Sequence, residues 1–155
     1  MTGWQLAQIN IATMVAPKGD AVMADFYAQL DAINAIADAS PGFVWRLQDD
    51  SGNASDLQTT PDPRLLVNIS VWQDVESLSA FVYRSDHSGI MRQRRQWFVP
   101  FQGSFQALWW VPAGHRPDAV EGFGRLWLLD RYGPSPQAFG FKSAFPAPVR
   151  ELADG

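Results

Sequence analysis

The run Leu65-Leu66-Val67-Asn68-Ile69-Ser70-Val71-Trp72, followed almost at once by Val75 to Phe98, constrains this chain more than any other stretch. Eight residues dominated by branched and aromatic side chains predict a buried strand. Asp74 then stands where a helix N-cap belongs, and the spacing predicts a long amphipathic helix from Val75. Along it lie His87, Met91, Arg92, Arg94, Arg95, Trp97 and Phe98. A lone imidazole among arginines and aromatics suits a pocket for a small, partly anionic molecule. It equally suits an ordinary packed helix, and both readings stand at this point.

The other segments arrange themselves around that unit. Trp4 to Thr13 reads as a first strand ending before Pro17. Asp20 caps a helix over Ala21 to Ala39, with Val22, Phe26, Leu30, Ile33 and Ile36 at helical spacing. Ser40-Pro41-Gly42 stops it. Phe43 to Gln48 is a short second strand. Asp49 to Pro63, rich in Asp, Ser, Gly, Asn and Pro, is a loop. Phe105 to Val111 is a fourth strand.

The order is β-α-β-β-α-β, an α+β fold of ferredoxin-like type with an antiparallel four-stranded sheet. Two helices on one face leave the other bare, and a second copy of the chain is the simplest cover, so a homodimer is expected. Residues 113–155 form a C-terminal extension of a single domain spanning 1–155. Within it Asp118 to Tyr132 reads as a helix, and Phe139, Phe141 and Phe145 form an aromatic tail too apolar to be disordered. This tail is expected to wrap the core or the partner copy.

Composition removes several functions. With 12 Lys and Arg against 16 Asp and Glu, the net charge of −4 offers nothing to neutralise a run of phosphates. No cysteine is present, which excludes disulfides, thiolate nucleophiles and zinc–thiolate sites. With two histidines and no cysteine, a protein-held transition metal is not expected. The first residues lack a signal-peptide pattern, and no segment reaches the roughly 20 apolar residues that span a bilayer. The expected location is the cytoplasm. No phosphate-binding glycine loop and no serine nucleophile elbow occur.

Strand alternation gathers a polar set. Gln8 and Asn10 share one face of the first strand, opposite Ala7, Ile9 and Ile11. Asn68, Ser70 and Trp72 share a face of the third strand. Arg46 opposes Phe43, Trp45 and Leu47, and Gln106, Leu108 and Trp110 oppose Ala107 and Trp109. Several buried polar groups on one sheet face need partners, from a solvated cavity or a wet interface. Arg46 and Gln48 lean towards the interface, Asn10 and Asn68 towards the cavity. His87 is the candidate general base. His115, in Gly114-His115-Arg116-Pro117, reads better as part of a turn.

Together Leu66 to Trp72, Phe81-Val82-Tyr83-Arg84-Ser85-Asp86-His87, Arg92 to Phe98, Trp109 to Pro117 and Phe145-Pro146-Ala147-Pro148 resemble the family catalogued as domain of unknown function 3291. That family is similar in fold to the dimeric α/β-barrel superfamily, which includes antibiotic-biosynthesis monooxygenases, haem-degrading enzymes, isomerases and cyclases. The resemblance implies the fold and the dimer, and leaves the function open. Haem-degrading members use a first-strand Asn, where Asn10 stands. They also place a Trp on the second helix where this chain has Phe81 or Val82, and His87 is out of step with their ligand. Cofactor-free quinone-forming members use Asn and Trp around a polyphenol.

The expectation is therefore a small-molecule enzyme for a hydrophobic, aromatic or polyketide-like substrate. It would act by cofactor-independent monooxygenation or by proton-transfer isomerisation or cyclisation. His87 would take the proton and Arg46 or Arg95 would stabilise an enolate or phenolate. Asn10 and Asn68 would orient the substrate, and Trp72, Trp110, Tyr83 and Met91 would complete the binding wall. The rival expectations are a non-catalytic dimeric binder of an apolar ligand and, third, a haem-binding protein.

Overall fold

The computed structural model describes residues 3–17, 19–48, 64–86, 96–100 and 103–148. The loop expected over 49–63 and the part of the second helix expected over 87–95 lie outside the described residues.

Strand β1 (Trp4–Met14) is the centre of the sheet. Along one edge it pairs antiparallel with β3 (Leu65–Trp72), from Leu6 opposite Trp72 to Thr13 opposite Leu65. Along its other edge it pairs with β5 (Gln106–Pro112) over Trp4 to Asn10, and with β4 (Phe98–Val99) at Thr13 and Met14. Strand β2 (Phe43–Arg46) flanks β3, so the order is β2-β3-β1 with β5 and β4 beyond. This is the antiparallel ferredoxin-like arrangement predicted from the element order, with one addition. Phe98, expected at the end of the helix from Val75, instead forms a fifth strand with Val99. Their branched and aromatic side chains precede Pro100, and the Phe98 ring meets Phe26 edge-on at 5.0 Å.

The connections follow local chemistry. Asp20 accepts from Val22 N at 3.0 Å and starts a single 3-10 turn, Ala21–Met23, before α1 (Ala24–Asp38). Gly42, with φ of 83°, turns the chain into β2. Asp74 accepts from Ser77 N at 2.8 Å and opens α2 (Val75–Asp86). Asp118 accepts from Glu121 N at 2.9 Å and opens α3 (Ala119–Tyr132).

The alternation read from the sequence divides the core into two sides. Ala7, Ile9, Ile11, Val67, Ile69, Val71, Ala107, Trp109 and Val111 form one buried face. The other face carries Leu6, Trp72 and Leu108 at one end, under α1, α2 and the tail, and Met14 at the other end against Met23, Phe26 and Trp97. Burying each such large side chain contributes roughly 1.5–3 kcal/mol before chain entropy is counted.

Two expectations change here. The first face is not bare: Leu126, Phe123 and Leu129 of α3 pack on it. The C-terminal extension thus supplies the cover for which a second copy had been invoked, and the bare-face reason for a homodimer does not apply to this face. Phe43, expected opposite Arg46, shares its face instead. A bulge between Phe43 and Trp45 places Phe43 opposite Trp72 and Arg46 opposite Ser70. The Phe43 ring then meets Trp72 edge-on at 5.3 Å.

The tail wraps the core, as expected. Phe139 and Leu108 exchange backbone hydrogen bonds of 2.7 and 2.9 Å along the outer edge of β5. Trp110 Nε1 donates to Phe145 O at 2.9 Å, and the Phe139 and Phe145 rings lie 5.7 Å apart.

Candidate functional site

On the sheet face against whose ends α1 packs lies a cluster of neutral polar side chains. Gln8, in the middle of β1, is its hub. Gln8 Nε2 donates to Asn68 Oδ1 and to Ser70 Oγ, both at 2.8 Å. Asn10 Nδ2 donates to Gln8 Oε1 at 3.0 Å, with a longer contact of 3.4 Å to Asn68 Oδ1. Trp72 Nε1 donates to Ser70 Oγ at 2.8 Å. The register explains the gathering, since Gln8 stands opposite Ser70, and Asn10 opposite Asn68. All four side chains leave one face of adjacent strands.

The network uses some valences and leaves others. Asn68 Oδ1 and Gln8 Oε1 accept, and both Gln8 Nε2 protons are spent. Asn10 Oδ1 accepts nothing, and Asn68 Nδ2 donates to nothing, among the described residues. Ser70 Oγ takes two donors, so its own proton is left to give. Gln8 and Ser70 are buried, whereas Asn10 and Asn68 are half-buried. The cluster thus presents one acceptor and one donor group, side by side on adjacent strands, on its accessible side. It carries no formal charge. That pairing matches an oxygen that both gives and takes hydrogen bonds, such as a hydroxyl beside a carbonyl.

Aromatic rings flank this polar stripe at both ends. Trp72 is fully buried and stacks on Phe81 at 5.1 Å. At the far end Phe26 meets Trp97 at 5.6 Å and Tyr27 at 5.1 Å.

The expected site residues divide by location. Asn10, Asn68 and Trp72 come together in the cluster. Trp110 lies on the same sheet face as Trp72, half-buried, with its indole N–H committed to Phe145 O. Tyr83 is 68% exposed on α2 and is not part of the buried cluster. His87, Met91, Arg92, Arg94 and Arg95 lie outside the described residues. Arg46 has a different task from the one expected. Its Nε donates to Asp38 Oδ1 at 2.8 Å and its Nη2 to Asp38 Oδ2 at 3.1 Å, a two-point clamp fixing β2 to the end of α1. A guanidinium held that way is spoken for before any substrate oxyanion arrives. His115 sits at a turn, as expected, and its Nε2 lies 2.6 Å from Glu121 Oε1. Glu121 Oε2 accepts from Trp109 Nε1 at 2.8 Å, on the other side of the sheet.

Asn34 was not anticipated. It sits on α1 among the buried positions Phe26, Asn34 and Ala37. The signal was in the spacing: Phe26, Leu30 and Asn34 recur every four residues, so Asn34 lies inside the apolar stripe rather than beside it.

Among the described residues no group of three His, Asp or Glu side chains could hold a metal ion. No helix of the described residues is long and apolar enough to cross a membrane.

Comparison with known proteins adds the following. A family model described as Domain of unknown function (DUF3291) matches residues 5–154. Among curated proteins none matches the chain. Solved structures with a similar course include SnoaB, a cofactor-independent oxygenase from Streptomyces nogalater. It is 16% identical, with 74% of this chain and 98% of that chain covered and a TM-score of 0.44. PA3566 from Pseudomonas aeruginosa is 17% identical, covering 72% of this chain and 95% of that chain with a TM-score of 0.47. NE2512, a protein of unknown function from Nitrosomonas europaea, is 12% identical over 76% of this chain and 98% of that one, with a TM-score of 0.45.

Proposed function

The chain belongs to the DUF3291 family, and on that premise we propose that it is a small-molecule enzyme. Its substrate is a hydrophobic, aromatic or polyketide-like compound, and its reaction is a cofactor-independent oxygenation. One observation carries this reading. Asn10 Oδ1 and Asn68 Nδ2 are left over from a network that binds every neighbouring carboxamide atom. Asn10 and Asn68 are half-buried, so these two atoms stand on the accessible side of the cluster, ready to meet a ligand oxygen in place of water.

In this reading the carboxamides orient a phenolic oxygen, and the rings of the flanking clusters receive the apolar skeleton. Deprotonation of an electron-rich phenol or anthrone yields an anion that dioxygen itself can oxidise, so the protein's part is positioning and stabilisation of negative charge. Asn68 Nδ2 donates to that developing charge. His87 takes the proton and Arg95 supplies positive charge in the same reading, both lying outside the described residues. Arg46, clamped by Asp38, serves to hold α1 over the sheet.

The test is aerobic incubation with 1,8-dihydroxyanthrone, with quinone absorbance and oxygen uptake followed together. Oxidation of its CH2 to a carbonyl consumes one O2 and releases one water. Turnover above the buffer rate, reduced about 10²-fold or more by His87→Ala, is the expected result. A rate equal to buffer ends the enzymatic reading. Binding without turnover is the second reading. The neutrality of Gln8, Asn10, Asn68 and Ser70 favours it, since none of them exchanges a proton near neutral pH. Saturable binding with no quinone formed would establish it.

A further inference from the structure

We infer that the outer face of α3 is a docking surface for a second copy of this chain, with the two helices antiparallel across a two-fold axis. This surface is independent of the chemistry proposed above.

α3 carries apolar side chains on two sides. Its inner side, Phe123, Leu126 and Leu129, packs on the sheet. Its outer side carries Val120, Gly124, Trp127 and Arg131, all exposed. Their spacing of four, three and four residues is that of a seam between paired helices. Val120 is 80% exposed and Trp127 54%. Tyr132, also exposed, meets the Trp127 ring edge-on at 5.9 Å. The Arg131 guanidinium lies 5.5 Å from the Trp127 ring centre and 5.7 Å from that of Tyr132. Tryptophan, tyrosine and arginine are the side chains that dominate protein–protein contacts. Here they are held together beforehand, which reduces the entropy lost on association.

Shape and charge both select a second copy as the occupant. Gly124 has nothing within 4 Å of the place a Cβ would take, so the helix surface is recessed there. Trp127, three residues on, is the largest projection of the same stripe. The midpoint of α3 falls midway between these two residues. A two-fold axis through it sets Trp127 of each copy over Gly124 of the other, ring into recess. The charges fit the same operation. Asp118 caps the start of α3 and Glu121 lies in its first turn, whereas Arg131 lies in its last. Antiparallel pairing brings the last turn of each helix to the acidic first turn of the other, while parallel pairing would set like against like. A two-fold interface requires such a patch, one that complements itself on reversal. One helix pair is small beside the roughly 1,200–2,000 Å² of a standard interface, so the dimer is reversible and dissociates in about the micromolar range.

The test is sedimentation velocity of the full chain from about 1 to 100 µM, with Trp127→Lys beside it. The native chain is expected to pass from one protomer to two across that range. Trp127→Lys is expected to weaken association by about 10²-fold or more. Its melting temperature in dilute solution should match that of the native chain, because the ring is exposed in the protomer. Thiols read the orientation, since the chain has no cysteine of its own. Val120→Cys mixed with Arg131→Cys is expected to give a mixed disulfide on oxidation, because antiparallel pairing sets these positions opposite each other. Neither variant alone should cross-link, its two thiols lying about 16 Å apart along the helix axes. A native chain that stays a single protomer at the highest concentration overturns the inference and leaves the stripe to a different protein. A dimer that Trp127→Lys does not weaken overturns it as well, since the seam then lies elsewhere. Cross-linking of either single-thiol variant with itself, and not of the mixture, overturns the antiparallel pairing.

Discussion

Gly122 of α3 lies so close to Ile9 of β1 that a Cβ at this glycine would meet Ile9 Cδ1 at 2.5 Å and Ile9 Cβ at 3.4 Å. Ile9 is fully buried in the sheet centre, so its side chain can shift only against packed neighbours. The helix that covers this face is therefore seated through a missing side chain.

Gly122→Ala is expected to destabilise the fold. Overpacking a full core costs about 1–3 kcal/mol, which exceeds the roughly 1 kcal/mol that alanine gains over glycine in a helix. Gly124→Ala, on the same helix with nothing within 4 Å, is expected to be neutral or stabilising. Urea denaturation of the two variants side by side measures the difference. Equal stability would mean that α3 does not lie on Ile9.

Gln8→Leu is expected to be among the more damaging changes in the sheet. It removes three hydrogen bonds at once, leaving Ser70 Oγ its bond from Trp72 Nε1 and Asn10 Nδ2 only the 3.4 Å contact to Asn68 Oδ1. Each lost hydrogen bond costs about 0.5–1.5 kcal/mol, and the loss appears as a lower denaturation midpoint.

Asn68→Leu should behave in the opposite manner with respect to activity and stability. It removes the acceptor Oδ1 of one good hydrogen bond, from Gln8, and of the longer contact from Asn10, whereas Gln8→Leu removes three, so the fold loses less. Turnover of 1,8-dihydroxyanthrone is expected to drop about 10²-fold, the usual consequence of removing one donor to a developing oxyanion. Steady-state rates together with thermal melting separate the two effects, and a variant with unaltered turnover would remove Asn68 from the mechanism.

The Arg46–Asp38 pair is asymmetric: the arginine side chain is 9% exposed and the aspartate 48%. Asp38→Ala leaves a buried guanidinium without its counter-charge, and a loss of about 1–3 kcal/mol is expected. Arg46→Met removes the buried charge itself and is expected to cost less. A double-mutant cycle measures the coupling, and a zero coupling energy would contradict the clamp.

Much of the fold was legible locally. Alternation in Gln8 to Ile11 and in Val67 to Trp72 placed Asn10 and Asn68 on one face without any structure, because a strand's period of two is a property of the backbone. Caps at Asp20 and Asp74 were readable because an aspartate ahead of a helical run is itself a local signal, while Asp118, read as the first residue of its helix, proves to be its cap. What escaped was non-local. Phe43 changed face because of a bulge set by pairing with β3. Phe98 became a strand because Met14 was beside it. Asn34 was hidden by its apolar neighbours, although Phe26 and Leu30 pointed to it.

By itself, the sequence determined the order of the main strands and helices and, outside β2, which side chains of one strand share a face, since both follow from short-range sterics and periodicity. Only the tertiary structure decided that α3 covers the face that appeared to need a second copy, that Arg46 is taken by Asp38, and that Asn10 and Asn68 are left with atoms to offer. Those outcomes depend on competition among partners far apart in the chain, 60 residues in the case of Gln8 and Asn68. A hydrogen bond that one group makes is one its neighbour cannot, and that exclusion is settled in space, not along the chain.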